Sequence, residues 1–221
     1  MKIEAVIFDM DGVILDSEKL YIRFWSEAGK ACGYPFEKKH ALAIRSMARP
    51  YATERLRGFF GEDFDYDKVR NKRIELMNKY VSENGIELKY YAKEILAYLK
   101  NSGYKTALAT ATAADLAKRY LKNAGVLEYF DEIASARMVK RGKPAPDIYE
   151  YAASKLGVPE GSCIAVEDSP NGALSAADAG CVTVMVPDMD EPQGDILKRV
   201  YKVIKSLEEL ENVLNELNGD C

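Results

Sequence analysis

Ile3-Glu4-Ala5-Val6-Ile7-Phe8-Asp9-Met10-Asp11-Gly12-Val13 is an apolar run that stops at two carboxylates two positions apart, followed by a glycine. Side chains on a strand alternate between faces, so Asp9 and Asp11 are aimed to the same side. Gly12 lets the chain turn away sharply. In open parallel sheets, ligands bind beyond the carboxyl ends of the strands. Two like charges placed there repel unless a cation or cationic side chains fill the space between them. Taken alone, Asp-x-Asp-Gly is equally good turn chemistry.

Four more strand-like runs follow: Lys105–Ala109, Glu132–Ala134, Cys163–Val166 and Cys181–Val186. Helical segments lie between them: Ala92–Ser102 before Gly103, Ala113–Ala124 before Gly125, Asp147–Leu156 before Gly157, and Asn171–Ala179 before Gly180. A glycine just past each helix is the usual C-terminal stop. Short apolar strands alternating with helices predict βαβ units, hence an α/β fold with a Rossmann-like, doubly wound parallel sheet. The tail adds a last strand at Val203–Ile204 and an amphipathic helix carrying Leu207, Leu210, Leu214 and Leu217.

Residues 17–84 break the alternation. Leu20, Phe24, Ala28 and Ala31, then the stretch Ala41–Phe60, then Val69, Ile74, Met77, Tyr80 and Val81 have helical spacing. The expected organisation is an α/β core of residues 1–16 and 85–221 with a helical cap of residues 17–84. That insert holds 14 of the 31 basic residues in 68 of the 221 positions. The excess suits a lid over an anionic ligand, although a solvated bundle face would also account for it.

Composition bounds the function more loosely. With 48% apolar and 30% charged residues the chain is far from a disordered composition, and no run approaches a membrane span. At 221 residues it buries roughly 70% of its unfolded surface, so it needs no disulfide or structural metal to fold. A net charge of −4 argues against a nucleic-acid footprint. Cys32, Cys163, Cys181 and Cys221 form no C-x-x-C pair, and an acidic residue interrupts the opening apolar run. Reduced thiols, a cytoplasmic location, no membrane partner and a monomer are the expectations.

The other strand ends decide the chemistry. One delivers Thr110, another Glu167 and Asp168, and Gly142-Lys143-Pro144 places a lysine in a stiff loop. Singly these read as a helix cap, a turn and a surface lysine. With Asp9 and Asp11 they set four carboxylates, a hydroxyl and an ammonium at one sheet edge, an oxygen-rich set of the kind Mg²⁺ requires.

Asp9-Met10-Asp11-Gly12-Val13, Thr110, Lys143 in GKPAPDIY, and Glu167-Asp168-Ser169 with Gly172 resemble the four motifs of the haloacid dehalogenase superfamily, in order and across nearly the whole chain. The helical insert, Asp16-Ser17-Glu18 and the long GKPAPDIY loop are similar to the β-phosphoglucomutase-like branch. The resemblance implies that Asp9 attacks phosphorus to form an aspartyl phosphate, and that Asp11 protonates the leaving oxygen and then deprotonates water. It implies Mg²⁺ on the Asp9 carboxylate, the Asp11 backbone carbonyl and Asp168, with Glu167 as a ligand or a support to one. It further implies that Thr110 and Lys143 hold phosphoryl oxygens. Dehalogenases lack an acid at the place of Asp11, and phosphonate hydrolases of the family carry a small residue there, so a phosphate ester is the implied substrate.

The resemblance also places Arg45 and Arg49 where this branch puts cap residues that reach substrate. Four apart, they would share a helix face. Phosphate clamping is expected of Arg49, while a surface role is slightly favoured for Arg45. Ser46 stands where many relatives carry glycine. His40, beside Lys38 and Lys39, reads as a solvated helix-end residue; Tyr21 and Trp25 read as cap core, with Tyr21 able to face the cleft. Arg137 and Met138 receive no role. The leading function is a Mg²⁺-dependent phosphatase acting on a small phosphorylated metabolite, such as a sugar or polyol phosphate. The alternatives are a β-phosphoglucomutase-type phosphomutase and a noncatalytic metabolite-binding module.

Overall fold

The computed structural model describes every residue except Met1, Ser46, Asp190, Glu191, Gln193, Asp220 and Cys221, so the expectations for Ser46 and Cys221 lie outside the described residues. In chain order the elements are β1 (Ala5–Phe8), α1 (Glu18–Ala31), α2 (Lys38–Leu42), α3 (Arg49–Phe60), α4 (Tyr66–Asn84), α5 (Ala92–Asn101), β2 (Lys105–Thr110) and α6 (Ala114–Asn123). There follow β3 (Glu132–Ser135), α7 (Asp147–Leu156), β4 (Cys163–Glu167), α8 (Pro170–Asp178), β5 (Val182–Met185), β6 (Lys202–Val203) and α9 (Leu210–Asn218). The strands form a parallel sheet in the order β3-β2-β1-β4-β5-β6. This is an α/β, Rossmann-like architecture, and no described helix is long and apolar enough to cross a membrane.

All four residues of β1 are buried because β2 and β4 flank it and helices cover both faces. Alternation sorts its side chains. Val6 and Phe8 enter the layer of Leu96, Leu99, Leu121 and Val213. Ala5 and Ile7 enter the layer of Ile148, Tyr149, Ala152 and Ala153 on α7. The strand order reverses between β1 and β4, and Asp9 follows β1 at that switch point. Its position at the sheet's carboxyl edge is therefore set by strand length and apolar pattern alone.

The four inserted helices have their own core around Trp25, Phe36, Leu56, Phe64 and Val69. Trp25 and Phe36 stack with ring centroids 5.9 Å apart. At the insert's base, Leu20, Phe24, Met77 and Val81 join the main core instead. The expected helical stretch Ala41–Phe60 is not one helix. It breaks after Leu42 and restarts at Arg49, and Pro50 sits in the new helix's first turn, where its missing backbone N–H costs nothing. Arg45 and Arg49 therefore do not share a helix face.

Candidate active site

Past β1 the chain stays tied to β4, with Asp9 N donating to Val166 O at 2.9 Å. Asp9 Oδ2 then accepts from Asp11 N at 3.0 Å, which folds the loop back over its own carboxylate. Gly12 has φ +85°, and a Cβ there would run into the Asp168 carboxylate. Gly172 plays the same part for Glu167, whose carboxylate fills the space a Cβ would take. Ser169 caps α8 by accepting from Gly172 N at 3.2 Å, which fixes that glycine where Glu167 needs it.

Asp9, Glu167 and Asp168 each offer an oxygen within 4.8 Å of the others, and all three are buried. Lys143, 1% exposed, stands 2.5 Å from Asp9 Oδ1, 2.5 Å from Glu167 Oε1 and 2.9 Å from Ala109 O. Burial pulls its ammonium pKa down, but Asp9 and Glu167 outweigh that and hold it above its ordinary value. Tyr149 on α7 donates to Glu167 Oε1 at 2.5 Å. Burial still pushes Glu167 up to about 7 against the pull of Lys143. Asp168 is also raised, by burial and by Glu18. Glu167 Oε2 and Asp168 Oδ1 are buried with no hydrogen-bond partner among the described residues. Clustered, partly orphaned hard oxygen donors suit a divalent cation such as Mg²⁺.

Asp11 faces the cavity in a different setting. Ser17 Oγ donates to its Oδ1 at 2.6 Å, and Thr112 Oγ1 donates to its Oδ2 at 3.2 Å. Tyr21 OH lies 3.2 Å from Thr112 Oγ1 and extends the network into α1. Burial and the neighbouring Asp9 raise the Asp11 pKa to about 6, against the hydrogen bonds and Arg73, which lower it. Thr110 is fully buried beneath this layer, its hydroxyl accepting from Thr112 N at 3.0 Å.

On the cap side the two arginines separate by burial. Arg45 is buried and reaches into the core, its Nε 3.1 Å from Glu18 Oε2 and its Nη2 paired with Asp168. Burial raises Glu18 to about 8, with Arg45 opposing. A surface role for Arg45 is thus overturned: the chain break after Leu42 turns it inward. Arg49 has a side chain 65% exposed and pairs with Asp67, although it lines the same cavity. His40 is not a solvated helix end. It packs among Phe36, Phe59 and Phe60, and its Nδ1 accepts from Glu37 N at 2.9 Å to complete the cap of α2.

Between insert and sheet lies a cavity of about 650 Å³, with Asp9, Asp11 and Thr112 on its core side and Tyr21, Arg49 and Arg73 among its cap residues. The loops meet beside it, with Ala48 N donating to Lys143 O at 3.1 Å. Glu18, Thr112, Tyr149 and Arg73 are site residues to which sequence reasoning gave no role. A signal existed for Thr112, two positions beyond Thr110 and so of the same strand parity, and for Tyr149 and Glu18, which lie within quoted motifs. Arg73 has none, being one of many basic residues in the insert.

A family model of haloacid dehalogenase-like hydrolases matches residues 3–180. The "Probable pseudouridine-5'-phosphatase" of Drosophila melanogaster is 33% identical over 197 residues, covering 85% of this chain and 83% of that protein. "Hexitol phosphatase A" of Escherichia coli (strain K12) is 31% identical over 221 residues, covering 100% of this chain and 98% of that protein. The crystal structure of the β-phosphoglucomutase of Clostridium difficile superimposes with a TM-score of 0.79 at 26% identity, covering 97% of this chain and 98% of that one.

Proposed function

Because the chain belongs to the haloacid dehalogenase-like hydrolases, we propose that it is a Mg²⁺-dependent phosphatase that hydrolyses a small sugar, polyol or nucleoside phosphate through an aspartyl phosphate on Asp9. The observation that carries this reading is the contrast between two neighbouring carboxylates. Asp9 is ion-paired with Lys143 at 2.5 Å and lines the cavity, as a nucleophile that meets the phosphoryl group must. Asp11 has its pKa raised to about 6, where it can give and take a proton near neutrality.

In the first half-reaction an Asp9 oxygen bonds to phosphorus as the ester P–O bond breaks, and the Asp11 carboxyl passes its proton to the leaving oxygen. In the second, Asp11 as carboxylate takes a proton from the water that attacks the aspartyl phosphate, releasing phosphate and restoring Asp9. Mg²⁺ held by Asp9, Asp168, Glu167 and the Asp11 carbonyl would offset the charge of the phosphoryl oxygens. Lys143 neutralises the phosphoryl end of the site, and Thr110 fixes the Thr112 amide above it. Residues 17–84 serve as the cap, and Arg45 and Arg49 bring its positive charge to the cleft. A cytoplasmic monomer that binds neither nucleic acid nor membrane completes the proposal.

A phosphomutase shares the first half-reaction, and the likeness to β-phosphoglucomutase makes it the second reading. Purified protein with MgCl₂ and a panel of phosphorylated sugars, polyols and nucleosides tests both, with free phosphate and isomerised ester followed together. Phosphate release from one class is the expected result. Isomerisation without phosphate release would install the mutase reading, and turnover of no ester would remove both.

A further inference from the structure

Arg73, on α4, is a buried cation with no ion pair to a carboxylate among the described residues, acting on the Asp11 charge from beyond ion-pair distance. It is 6% exposed, its Nε and Nη1 are shut off from solvent, and neither has a hydrogen-bond partner among the described residues. Its guanidinium lies 4.6 Å from the Tyr21 ring centroid and 5.4 Å from that of Trp25. The aromatic faces hold the guanidinium, but its N–H donors point outward within its plane, and those on Nε and Nη1 stay unsatisfied among the described residues.

Two further guanidiniums share the cavity. Arg70 precedes Arg73 by three residues on α4, and Arg137 comes from the loop after β3. Neither pairs with a carboxylate among the described residues. Burial holds Arg70 below its ordinary pKa, and Arg73 and Arg137 push it the same way. The other cavity arginines are matched: Arg45 with Glu18 and Asp168, Arg49 with Asp67, and Arg141 with Asp147. Buried charges are ordinarily paired, and a guanidinium fork suits a planar or tetrahedral oxyanion.

We propose that Arg70, Arg73 and Arg137 form an anion subsite in the cap-side cavity, so that the substrate is a phosphate ester carrying a second anionic group, either phosphoryl or carboxylate. The ester half of this statement rests on the phosphatase reading; the subsite does not. The second anion docks on the three arginines while the scissile phosphate sits at Asp9. A substrate with a neutral tail leaves Arg73 unpaired in the closed cavity.

The experiment compares matched esters: fructose 1,6-bisphosphate against fructose 1-phosphate, and 3-phosphoglycerate against sn-glycerol 3-phosphate. For the wild type, kcat/KM is expected to favour the doubly anionic member of at least one pair by about 10–100-fold, the worth of a charge-assisted hydrogen-bonded contact. Which pair responds identifies phosphoryl or carboxylate. Arg73→Gln and Arg137→Gln are expected to reduce that ratio about tenfold, with Arg73→Lys retaining part of it. Arg137 is exposed, so its substitution reads the subsite without touching the core. A ratio near one in both pairs, or a ratio that survives Arg137→Gln, overturns the proposal and leaves the phosphatase reading standing. The subsite is read independently by calorimetric titration of the Asp9→Asn protein with the same four compounds. If no ester is turned over, the phosphatase reading falls, and tighter binding of either doubly anionic compound still upholds the subsite, whereas equal binding overturns it.

Discussion

Lys143 Nζ stands 2.5 Å from Asp9 Oδ1, and the same ammonium stands 2.5 Å from Glu167 Oε1, so one cation ties together the ends of two neighbouring strands. Removing it leaves buried carboxylates facing each other, and breaking such a pair costs about 3–5 kcal/mol. Lys143→Met is therefore expected to lower the unfolding free energy obtained from chemical denaturation by about that amount, with a lower midpoint. Mg²⁺ is expected to restore part of the loss, because a divalent cation can take over the neutralisation. Denaturation with and without MgCl₂ checks both statements, and an unchanged midpoint would show that the carboxylates hold protons instead.

Asp9 and Asp11 lie two residues apart but are expected to fail differently. Asp9→Asn is expected to abolish turnover with the fold intact, since an amide is no nucleophile. Asp11→Asn is expected to slow both half-reactions by about 10²–10⁴. Acid-quench trapping with labelled ester is expected to yield a phosphoenzyme from the wild type and none from Asp9→Asn. Label retained on Asp9→Asn would place the nucleophile elsewhere.

The raised carboxylates link metal binding to pH. Asp11, Glu167 and Glu18 are pushed up to about 6, 7 and 8, chiefly by burial. A carboxylate whose pKa is higher folded than unfolded binds its proton more tightly in the fold. Its contribution to stability is complete below the ordinary carboxylate pKa and is lost as pH rises through 6 to 8. A divalent cation held by Glu167 needs that carboxyl ionised, so the rise in Tm on adding Mg²⁺ is expected to grow as pH rises through about 7. Thermal melts with MgCl₂ or chelator across that pH measure the increment. A constant increment would remove Glu167 from the cation's surroundings.

Arg45 and Arg49 separate by burial. Arg45→Ala leaves Glu18 and Asp168 without their guanidinium, and a loss of about 3 kcal/mol is expected. Arg49 pairs with Asp67 in solvent, and exposed pairs contribute about 0–1 kcal/mol, so Arg49→Ala is expected to change stability little. Equal denaturation midpoints for the two variants would contradict the buried geometry of Arg45.

The core was legible because its signals are local. Apolar runs that end in charge, and helices that stop at glycine, need no knowledge of the rest of the chain; β1, β2, β4 and α7 follow from such patterns. The cluster of Asp9, Lys143, Glu167 and Asp168 was legible for the same reason, since each sits at or near the end of an apolar strand or in a distinctive loop. The cap was less legible. Helical spacing continues from Ala41 to Phe60 in sequence, but the helix breaks after Leu42 and restarts at Arg49 with Pro50 in its first turn, and that break turns Arg45 toward Asp168. The burial of His40 and Arg73 depends on helices that meet only in three dimensions. No local pattern separates them from their exposed basic neighbours.

The last distinction is whether the aspartyl phosphate goes to water or to a sugar hydroxyl. A mutase must hold back its general base until the cap closes on sugar, and in the β-phosphoglucomutase-like enzymes that the sequence resembles, a histidine early in the first cap helix contributes to that restraint. By that resemblance the corresponding position in this sequence is Tyr21 in SEKLYIRFW. Its hydroxyl lies 3.2 Å from Thr112 Oγ1, whose own bond runs to Asp11. Burial and the Asp11 charge hold the phenol above its ordinary pKa, so it stays a neutral O–H at pH 7 and cannot become the cationic partner of Asp11 that an imidazole can. His40 is committed to the cap of α2 and cannot replace it. Asp11 is thus available to deprotonate water as soon as Asp9 is phosphorylated. Free phosphate is expected from a phosphate ester with no bisphosphate activator present, and β-glucose 1-phosphate is expected to give little glucose 6-phosphate. Phosphorus NMR of one reaction mixture reports both products. Rapid formation of glucose 6-phosphate with little free phosphate would make the chain a mutase, and would mean that something other than a titratable side chain at position 21 restrains Asp11.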